Sequence, residues 1–240
     1  MAKDRAPATG KDQLASTSTR AEINAFVDKA RALSQANPAG AGRGRLIFAL
    51  DATMSRQPTW DIACTLQAEM FRETAALGGL DVQLVYYRGL VECRASRWVS
   101  DAKQLSALME KIDCRGGHTQ IGRILAHARS ESAKGKVRAL VFVGDAMEEK
   151  LDDLCAVAGE LGLVGVPAFV FQEGDDAVAT NTFREIARLT NGAYCRFSPG
   201  SARELAELLR AVAAYAAGGY AALEAAPRTT AAAKLLAQLK

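Results

Sequence analysis

Apolar residues follow two patterns along this chain: short uninterrupted runs, and longer segments in which they recur every three or four positions. Runs of the first kind lie at residues 46–50, 139–144 and 167–171. They are typical of strands buried on both faces of a parallel sheet. The second pattern predicts helices at residues 58–77, 102–112, 121–128, 151–161, 182–189 and 203–215. Strands that alternate with helices predict an α/β fold, with a three-layer, doubly wound, Rossmann-like sheet that is mostly parallel.

The edges of this sheet have a different, more polar pattern. Residues 81–87 alternate like a strand with one wetter face, Arg88 and Gly89 predict a turn, and residues 91–99 form a polar partner strand. This hairpin predicts one antiparallel edge strand, whose charged side chains discourage aggregation. The apolar stretch at 193–197 predicts a strand at the other edge.

The composition of successive segments divides the chain into four parts. Residues 1–18 are polar and show no periodicity, so we expect a disordered tail. Residues 19–43 predict an N-terminal helix and a linker, and residues 44–218 predict the α/β domain. Residues 219–240 form an Ala-rich C-terminal tail.

Both ends of the chain are expected to be dispensable for folding. The last ten residues, 231–240, predict at most a small amphipathic helix that docks or frays. Removal of residues 1–18 and 228–240 is therefore expected to change the free energy of unfolding by no more than about 1 kcal/mol.

Charge and cysteine content narrow the functional classes. The 240 residues contain 30 Lys and Arg against 27 Asp and Glu, a net charge of +3 that does not indicate nucleic-acid binding. The five cysteines form no Cys-x-x-Cys pair and there are two histidines, so we expect no zinc cluster. No apolar run resembles a signal peptide or a membrane span. A reduced, cytoplasmic protein without a membrane partner is expected.

The candidate chemistry begins where the first buried run ends. Asp51 follows residues 46–50, and Thr53 and Ser55 follow at alternate positions. Open α/β sheets place their ligand sites at the carboxyl ends of their strands. One carboxylate and two hydroxyl groups in a tight loop are hard oxygen donors, which suit Mg²⁺ or Mn²⁺.

Two later segments supply further oxygen donors. Thr119 follows two glycines and precedes a helical pattern, and Asp145 ends the second buried run. Asp is also common in helix caps and loops, and a Thr at the start of a helix is an ordinary N-cap. The sequence around Thr119 and Asp145 is therefore compatible with metal ligation and with a capping or loop role.

In order and spacing, these segments resemble the von Willebrand factor A-type (VWA) domain, over roughly residues 44–218. The metal-ion-dependent adhesion site (MIDAS) of that family uses Asp-x-Ser-x-Ser, then a Thr, then an Asp. The matching residues here are Asp51, Thr53, Ser55, Thr119 and Asp145. Two positions depart from the family pattern, because Thr53 replaces a Ser and Ala146 stands where the family often has Gly.

The resemblance implies that Asp51 and Asp145 enter one crevice, where two carboxylates repel each other unless a cation or a proton intervenes. It further implies a bound Mg²⁺ or Mn²⁺ with one coordination position open to an Asp or Glu of a partner protein. The expected rim of the partner-binding surface consists of Arg56, Trp60, His118 and Glu148.

Three of the residues around this crevice have an alternative interpretation. Trp60 has the size and character to pack under the first helix instead. Glu148 and Glu149 are within reach of the crevice, but we interpret both as first-turn acids favoured by a helix dipole.

The leading hypothesis is a metal-dependent protein-interaction module, monomeric on its own, and not an enzyme. The alternative is a metal-dependent enzyme of phosphoryl-transfer or hydrolytic type that uses the Asp51/Asp145 crevice. Haloacid-dehalogenase-like phosphatases need a second Asp where this chain has Thr53, and no phosphate loop or Gly-x-Ser-x-Gly elbow is present. A structural scaffold with a vestigial site is a third possibility.

Overall fold

The computed structural model describes residues 43–57, 59–62, 79–198, 201–226 and 229–239. The described residues belong to one compact unit, Gly42–Lys240. The predicted N-terminal tail and helix lie outside the described residues, as does most of the helix predicted at 58–77, of which residues 59–62 are described and are helical.

Among the described residues, six strands form a single sheet, and the predicted fold class is confirmed. The order across the sheet is β3-β2-β1-β4-β5-β6. All neighbouring strands are parallel except β2 and β3, whose antiparallel pairing forms the predicted edge hairpin. The strands are β1 Gly44–Asp51, β2 Leu80–Arg88, β3 Glu92–Val99, β4 Ala139–Gly144, β5 Ala168–Glu173 and β6 Ala193–Phe197.

Helices cover both faces of this sheet. They are α1 Ala102–Met109, α2 Ile121–Lys134, α3 Leu151–Leu163, α4 Ala177–Leu189, α5 Ala202–Ala225 and α6 Thr230–Gln238, with a 3-10 turn at Met54–Arg56. Leu46, Phe48 and Leu50 of β1 belong to one buried cluster, which includes residues of α1, α5 and α6. Ile47 and Ala49 belong to a second cluster, with residues of α2, α3 and α4. Side chains of a strand alternate between the two faces, so burial of both sets makes β1 a central strand.

Three helices are markedly longer than the sequence predicts; of these, α2 continues to Lys134 instead of ending at residue 128. Helix α4 begins at Ala177 instead of residue 182, because the Asp176 side chain accepts a 2.6 Å hydrogen bond from the Ala179 N–H and so caps the helix. Helix α5 runs to Ala225 through a kink at Gly219, whose φ of 72° lies in the left-handed region that favours glycine.

The C-terminal residues are packed into the domain, which differs from the expected dispensable end. Ala231, Ala232 and Leu235 of α6 are buried in the same cluster as β1 and α5. The Gln238 side chain accepts a hydrogen bond from the Tyr194 N–H (2.8 Å) and donates one to the Tyr194 carbonyl (2.9 Å), at the free edge of β6. Helix α6 therefore covers part of an edge that would otherwise expose backbone groups.

Truncation of the Leu235 side chain is expected to destabilise the protein. Leu235 is fully buried, so Leu235→Ala should lower the free energy of unfolding by about 2–4 kcal/mol through lost contacts and a residual cavity. The exposed neighbour Lys234 provides the control, and Lys234→Ala should change it by less than about 0.5 kcal/mol. Urea unfolding measures both; equal effects of the two substitutions would show that α6 is not part of the folded unit.

None of the helices in the described part of the chain combines the length and apolar character needed to span a membrane.

Candidate metal site

The two candidate carboxylates, Asp51 and Asp145, lie at the carboxyl ends of the neighbouring strands β1 and β4. Leu50 of β1 pairs with Val143 of β4, so Asp51 and Gly144 are the next residues at that edge, and Asp145 follows. Gly144 in turn pairs with Gln172 of β5. This is the edge at which open α/β sheets bind their ligands.

Asp51 is buried, with 2 % of its surface exposed, and both of its carboxylate oxygens accept hydrogen bonds. Oδ1 accepts from the Thr53 N–H at 2.8 Å, and Oδ2 accepts from the Tyr87 hydroxyl at 2.8 Å. These two bonds fix the orientation of the carboxylate and leave each oxygen a further lone pair.

Burial dominates the electrostatics of this carboxylate. It raises the pKa of Asp51, and the negative charge of Asp145 raises it further, against the opposing effect of the hydrogen bonds from Thr53 and Tyr87. The pKa of the Tyr87 hydroxyl is also raised, by its own burial and by the charge of Asp51. Both shifts have the sign that a buried, negatively charged crevice produces, and a bound cation would oppose both.

The loop after Asp51 turns its hydroxyl groups outward. The Arg56 N–H donates to the Thr53 carbonyl at 3.0 Å and closes the 3-10 turn. Thr53 Oγ1 and Ser55 Oγ lie 3.3 Å apart; Thr53 is half-buried and Ser55 is exposed. The loop therefore places a buried carboxylate under two more accessible neutral oxygens.

A second loop, residues 113–120, packs directly on the ends of β1 and β2. The Arg115 N–H donates to the Ala52 carbonyl (3.0 Å), and the His118 N–H donates to the Gly89 carbonyl (3.2 Å). Gly117 lies so close to Gly89 that a Cβ atom at residue 117 would fall 2.1 Å from the Gly89 carbonyl oxygen. This close approach of the two backbones therefore requires glycine at residue 117.

Thr119 is held by Glu148, and the two residues exchange hydrogen bonds. The Thr119 N–H donates to Glu148 Oε2 at 3.1 Å, and the Glu148 N–H donates to Thr119 Oγ1 at 3.0 Å. His118 Nδ1 lies 2.9 Å from the same Glu148 oxygen, and these contacts lower the pKa of Glu148. Thr119 is thus not the N-cap of α2, a position that Gln120 occupies without a side-chain hydrogen bond.

Glu149 fills the capping role that Thr119 leaves open. Its carboxylate accepts hydrogen bonds from the Ile121 N–H (2.5 Å) and the Gly122 N–H (2.9 Å) at the start of α2. We expected Glu148 and Glu149 to be first-turn acids of the helix that follows them, but both precede α3, and their carboxylates contact the segment that begins α2. The β4–α3 loop, which carries Asp145, is therefore tied to the loop that carries Thr119.

The oxygen donors fit a divalent cation. They comprise two carboxylates, Asp51 and Asp145, and three hydroxyl groups, Thr53, Ser55 and Thr119, which are the hard ligands that Mg²⁺ and Mn²⁺ prefer. The Thr119 hydroxyl oxygen accepts one hydrogen bond and retains a lone pair. In the described residues, no three or more His, Cys, Asp and Glu side chains are grouped so as to hold a metal ion. Hydroxyl donors are therefore essential to any metal site at this edge.

Two of the four expected rim residues are buried instead. Arg56 is 1 % exposed because its guanidinium forms an ion pair with Glu173, and Trp60 is buried in the core beside Tyr86. Neither contributes to an outer rim. His118 and Glu148, by contrast, have side chains that are 67 % and 50 % exposed.

The sequence interpretation missed two residues of this region, Tyr87 and Glu173. Tyr87 binds Asp51, and Glu173 ends β5 at the same edge as Asp145. A signal for Glu173 was present, since an acidic residue that ends a buried strand is the pattern that singled out Asp51 and Asp145. The predicted strand at 167–171 stopped two residues too early to include it.

Comparison with solved structures identifies the fold. The SpRpn10 VWA domain matches with a TM-score of 0.55 and 11 % identity, over 69 % of this chain and 94 % of that one. The vWF domain of the type V pili tip protein Mfa5 from Porphyromonas gingivalis matches with a TM-score of 0.56 and 12 % identity, over 72 % and 94 %. This chain folds as a VWA-type domain.

Another VWA-type neighbour of this chain has been solved with metal. Proximal thread matrix protein 1 from the mussel byssus, with a zinc-occupied MIDAS motif, matches with a TM-score of 0.54 and 16 % identity, over 73 % of this chain and 46 % of that one. No family model matches the sequence, and no curated protein does. The likeness is therefore one of fold.

Proposed function

We propose that this VWA-type domain is a protein-interaction module that binds a divalent cation, Mg²⁺ or Mn²⁺, and through it an Asp or Glu of a partner protein. The residues that would hold the ion are Asp51, Thr53, Ser55, Thr119 and Asp145. When bound, the ion supplies electrostatic attraction for a carboxylate of the partner. The observation that carries the proposal is the buried Asp51 carboxylate, fixed by Thr53 and Tyr87 below a loop with accessible hydroxyl groups.

The layout of charge supports an anionic partner group. Asp51 is buried and Asp145 half-buried, whereas the Ser55 hydroxyl lies at the surface. A carboxylate of a partner protein that approaches from solvent would first meet neutral hydroxyl groups. The bound cation would lie between this carboxylate and those of Asp51 and Asp145. His118 and Glu148 remain as candidate rim residues, because both are exposed beside Thr119.

The groups around the site do not favour an enzyme that uses a thiol nucleophile. The nearest thiol in sequence to the 115–120 segment is Cys114, and burial, together with the charge of Asp51, raises its pKa to about 11. An activated thiol nucleophile needs the opposite shift. A binding role requires no activated nucleophile.

Capture of partner proteins tests this function. Immobilised wild-type protein is expected to retain partners from cell extract in the presence of magnesium and to release them when a chelator is added. Asp51→Ala protein should retain none of these partners under either condition. Equal capture by both proteins, with and without chelator, would place the binding surface elsewhere.

A further inference from the structure

The site contains a buried positive charge beside its carboxylates. Arg56 directly follows Ser55, and the 3-10 turn that begins after Thr53 carries its side chain into the interior, where 1 % of it is exposed. Arginine is among the residues least often fully buried, and it requires an anionic partner when it is. A buried guanidinium next to a candidate cation site therefore calls for an explanation.

Glu173 is one partner of this guanidinium. The Arg56 Nη1 atom forms an ion pair with Glu173 Oε2, and the Thr59 hydroxyl donates to the same carboxylate oxygen. Glu173 is 9 % exposed, so the pair is screened little by solvent. Arg56 Nε is also buried, and it has no hydrogen-bond partner among the residues that the structure describes. Glu173 therefore does not accept hydrogen bonds from all the N–H groups of the guanidinium.

The strand register places two more carboxylates beside this pair. Gly144 pairs with Gln172, so Asp145 and Glu173 come next at the carboxyl ends of β4 and β5. Asp51 ends β1 on the other side of β4. Three carboxylates and one guanidinium are therefore gathered at one edge of the sheet. Burial lowers the pKa of Arg56, but the charges of Asp145 and Asp51 act against that shift.

We propose that Arg56 is the resident cation of this site. Its guanidinium offsets the repulsion among Asp51, Asp145 and Glu173 when no metal is bound, and it repels an incoming divalent ion. Arg56 is then a positioning residue that sets a moderate metal affinity and keeps the metal-free domain folded. The ion pair with Glu173 ties the guanidinium to the end of β5. This inference rests on the proposed metal site.

Two substitutions that should change the magnesium affinity in opposite directions test the proposal. Arg56→Gln removes the charge but keeps a hydrogen-bonding group for Glu173, and it is expected to bind Mg²⁺ at least about tenfold more tightly than the wild type. Glu173→Gln removes a negative charge and frees the guanidinium, and it is expected to bind Mg²⁺ several-fold more weakly. Arg56→Lys keeps the charge and should remain within about threefold of the wild type. Titration calorimetry of the metal-free proteins with MgCl₂ measures all four affinities.

Thermal unfolding provides a second readout. Without metal, Arg56→Gln should have a lower Tm than the wild type, and saturating magnesium should raise its Tm by more than it raises that of the wild type. A purely structural role for Arg56 would lower the Tm without any gain in affinity. If Arg56→Gln does not fold, the double variant Arg56→Gln/Glu173→Gln removes the buried pair together, and it should bind Mg²⁺ more tightly than Glu173→Gln alone; equal binding by these two variants would overturn the inference.

The outcomes separate this inference from the proposed function. Tighter binding by Arg56→Gln than by the wild type supports the resident cation, even if the wild type itself shows no measurable binding of magnesium. If the wild type binds magnesium and Arg56→Gln binds it equally or more weakly, the inference is overturned but the proposed metal site is not. Absence of binding by the wild type and by every variant overturns both.

Discussion

Replacement of Asp51 by alanine is expected to abolish measurable binding of Mg²⁺. The substitution removes a buried negative charge from the proposed ligand shell, so the loss should exceed the roughly 10- to 100-fold typical of changes outside a metal's ligand shell. Ser55→Ala removes a neutral oxygen and should weaken binding by about tenfold. Titration calorimetry of metal-free protein measures both, and an affinity for Asp51→Ala equal to that of the wild type would exclude Asp51 as a ligand.

Asp145→Asn separates metal affinity from stability. Asp51→Ala also leaves the buried Tyr87 hydroxyl without its acceptor, which should cost about 1–3 kcal/mol of stability. Asp145 is half-exposed, and its charge acts unfavourably on Asp51. Asp145→Asn should therefore leave the metal-free stability unchanged or slightly raised while it lowers the affinity for magnesium. The exposed Glu160 near the end of α3 serves as the control, because α3 runs back from the carboxyl edge of the sheet, and Glu160→Gln should leave the affinity unchanged.

A methyl group at residue 117 is expected to displace the loop that carries Thr119. In Gly117→Ala the new Cβ would meet three backbone atoms of Gly89 at 2.1–2.4 Å, and backbone atoms do not yield as a flexible side chain does. The conflict should cost about 1–3 kcal/mol of stability, or move the loop away from β2. Movement of the loop withdraws the Thr119 hydroxyl and should reduce magnesium affinity by at least about tenfold.

The neighbouring glycine provides a matched control for this experiment. A Cβ at residue 116 would meet no heavy atom within 4 Å, so Gly116→Ala should keep both stability and affinity near those of the wild type. Urea unfolding and titration calorimetry on the two variants make the comparison. Equal behaviour of the two would show that the contact between Gly117 and Gly89 does not hold the loop in solution.

The centre of the sheet was predictable from sequence because its strands contain unbroken apolar runs. Burial on both faces keeps residues 46–50 of β1, 139–144 of β4 and 168–171 of β5 apolar, and these runs therefore stand out from the helical spacing around them. The same runs located Asp51 and Asp145, since an acidic residue directly after such a strand reaches the edge where ligands bind.

The position of Arg56 could not be read from the sequence. A long charged side chain in a loop is usually exposed, so the pattern predicted a rim residue. Its burial depends on Glu173, which lies far away along the chain and becomes a neighbour only when β5 joins the sheet beside β4. Pairings of this kind depend on tertiary structure and leave no local periodicity.

Whether helix α6 docks or frays could not be decided from the sequence, for a related reason. Its buried face consists of Ala231, Ala232 and Leu235, which is little apolar surface for a helix of nine residues. Alanines give a weak signal in sequence, but small side chains let α6 pack closely against α5. A second stabilising contact, between Gln238 and the backbone of Tyr194, involves a polar residue that apolar periodicity does not detect.

The central claim, a divalent cation held at the carboxyl edge of β1 and β4, is tested most directly by anomalous scattering from crystals grown with MnCl₂. We expect a single strong peak within about 2.6 Å of oxygen atoms of Asp51, Ser55 and Thr119 or of waters that they hold. The same map from Asp51→Ala crystals should lack that peak. A map of the wild type with no peak at this edge, or with its manganese bound elsewhere on the domain, would contradict the claim.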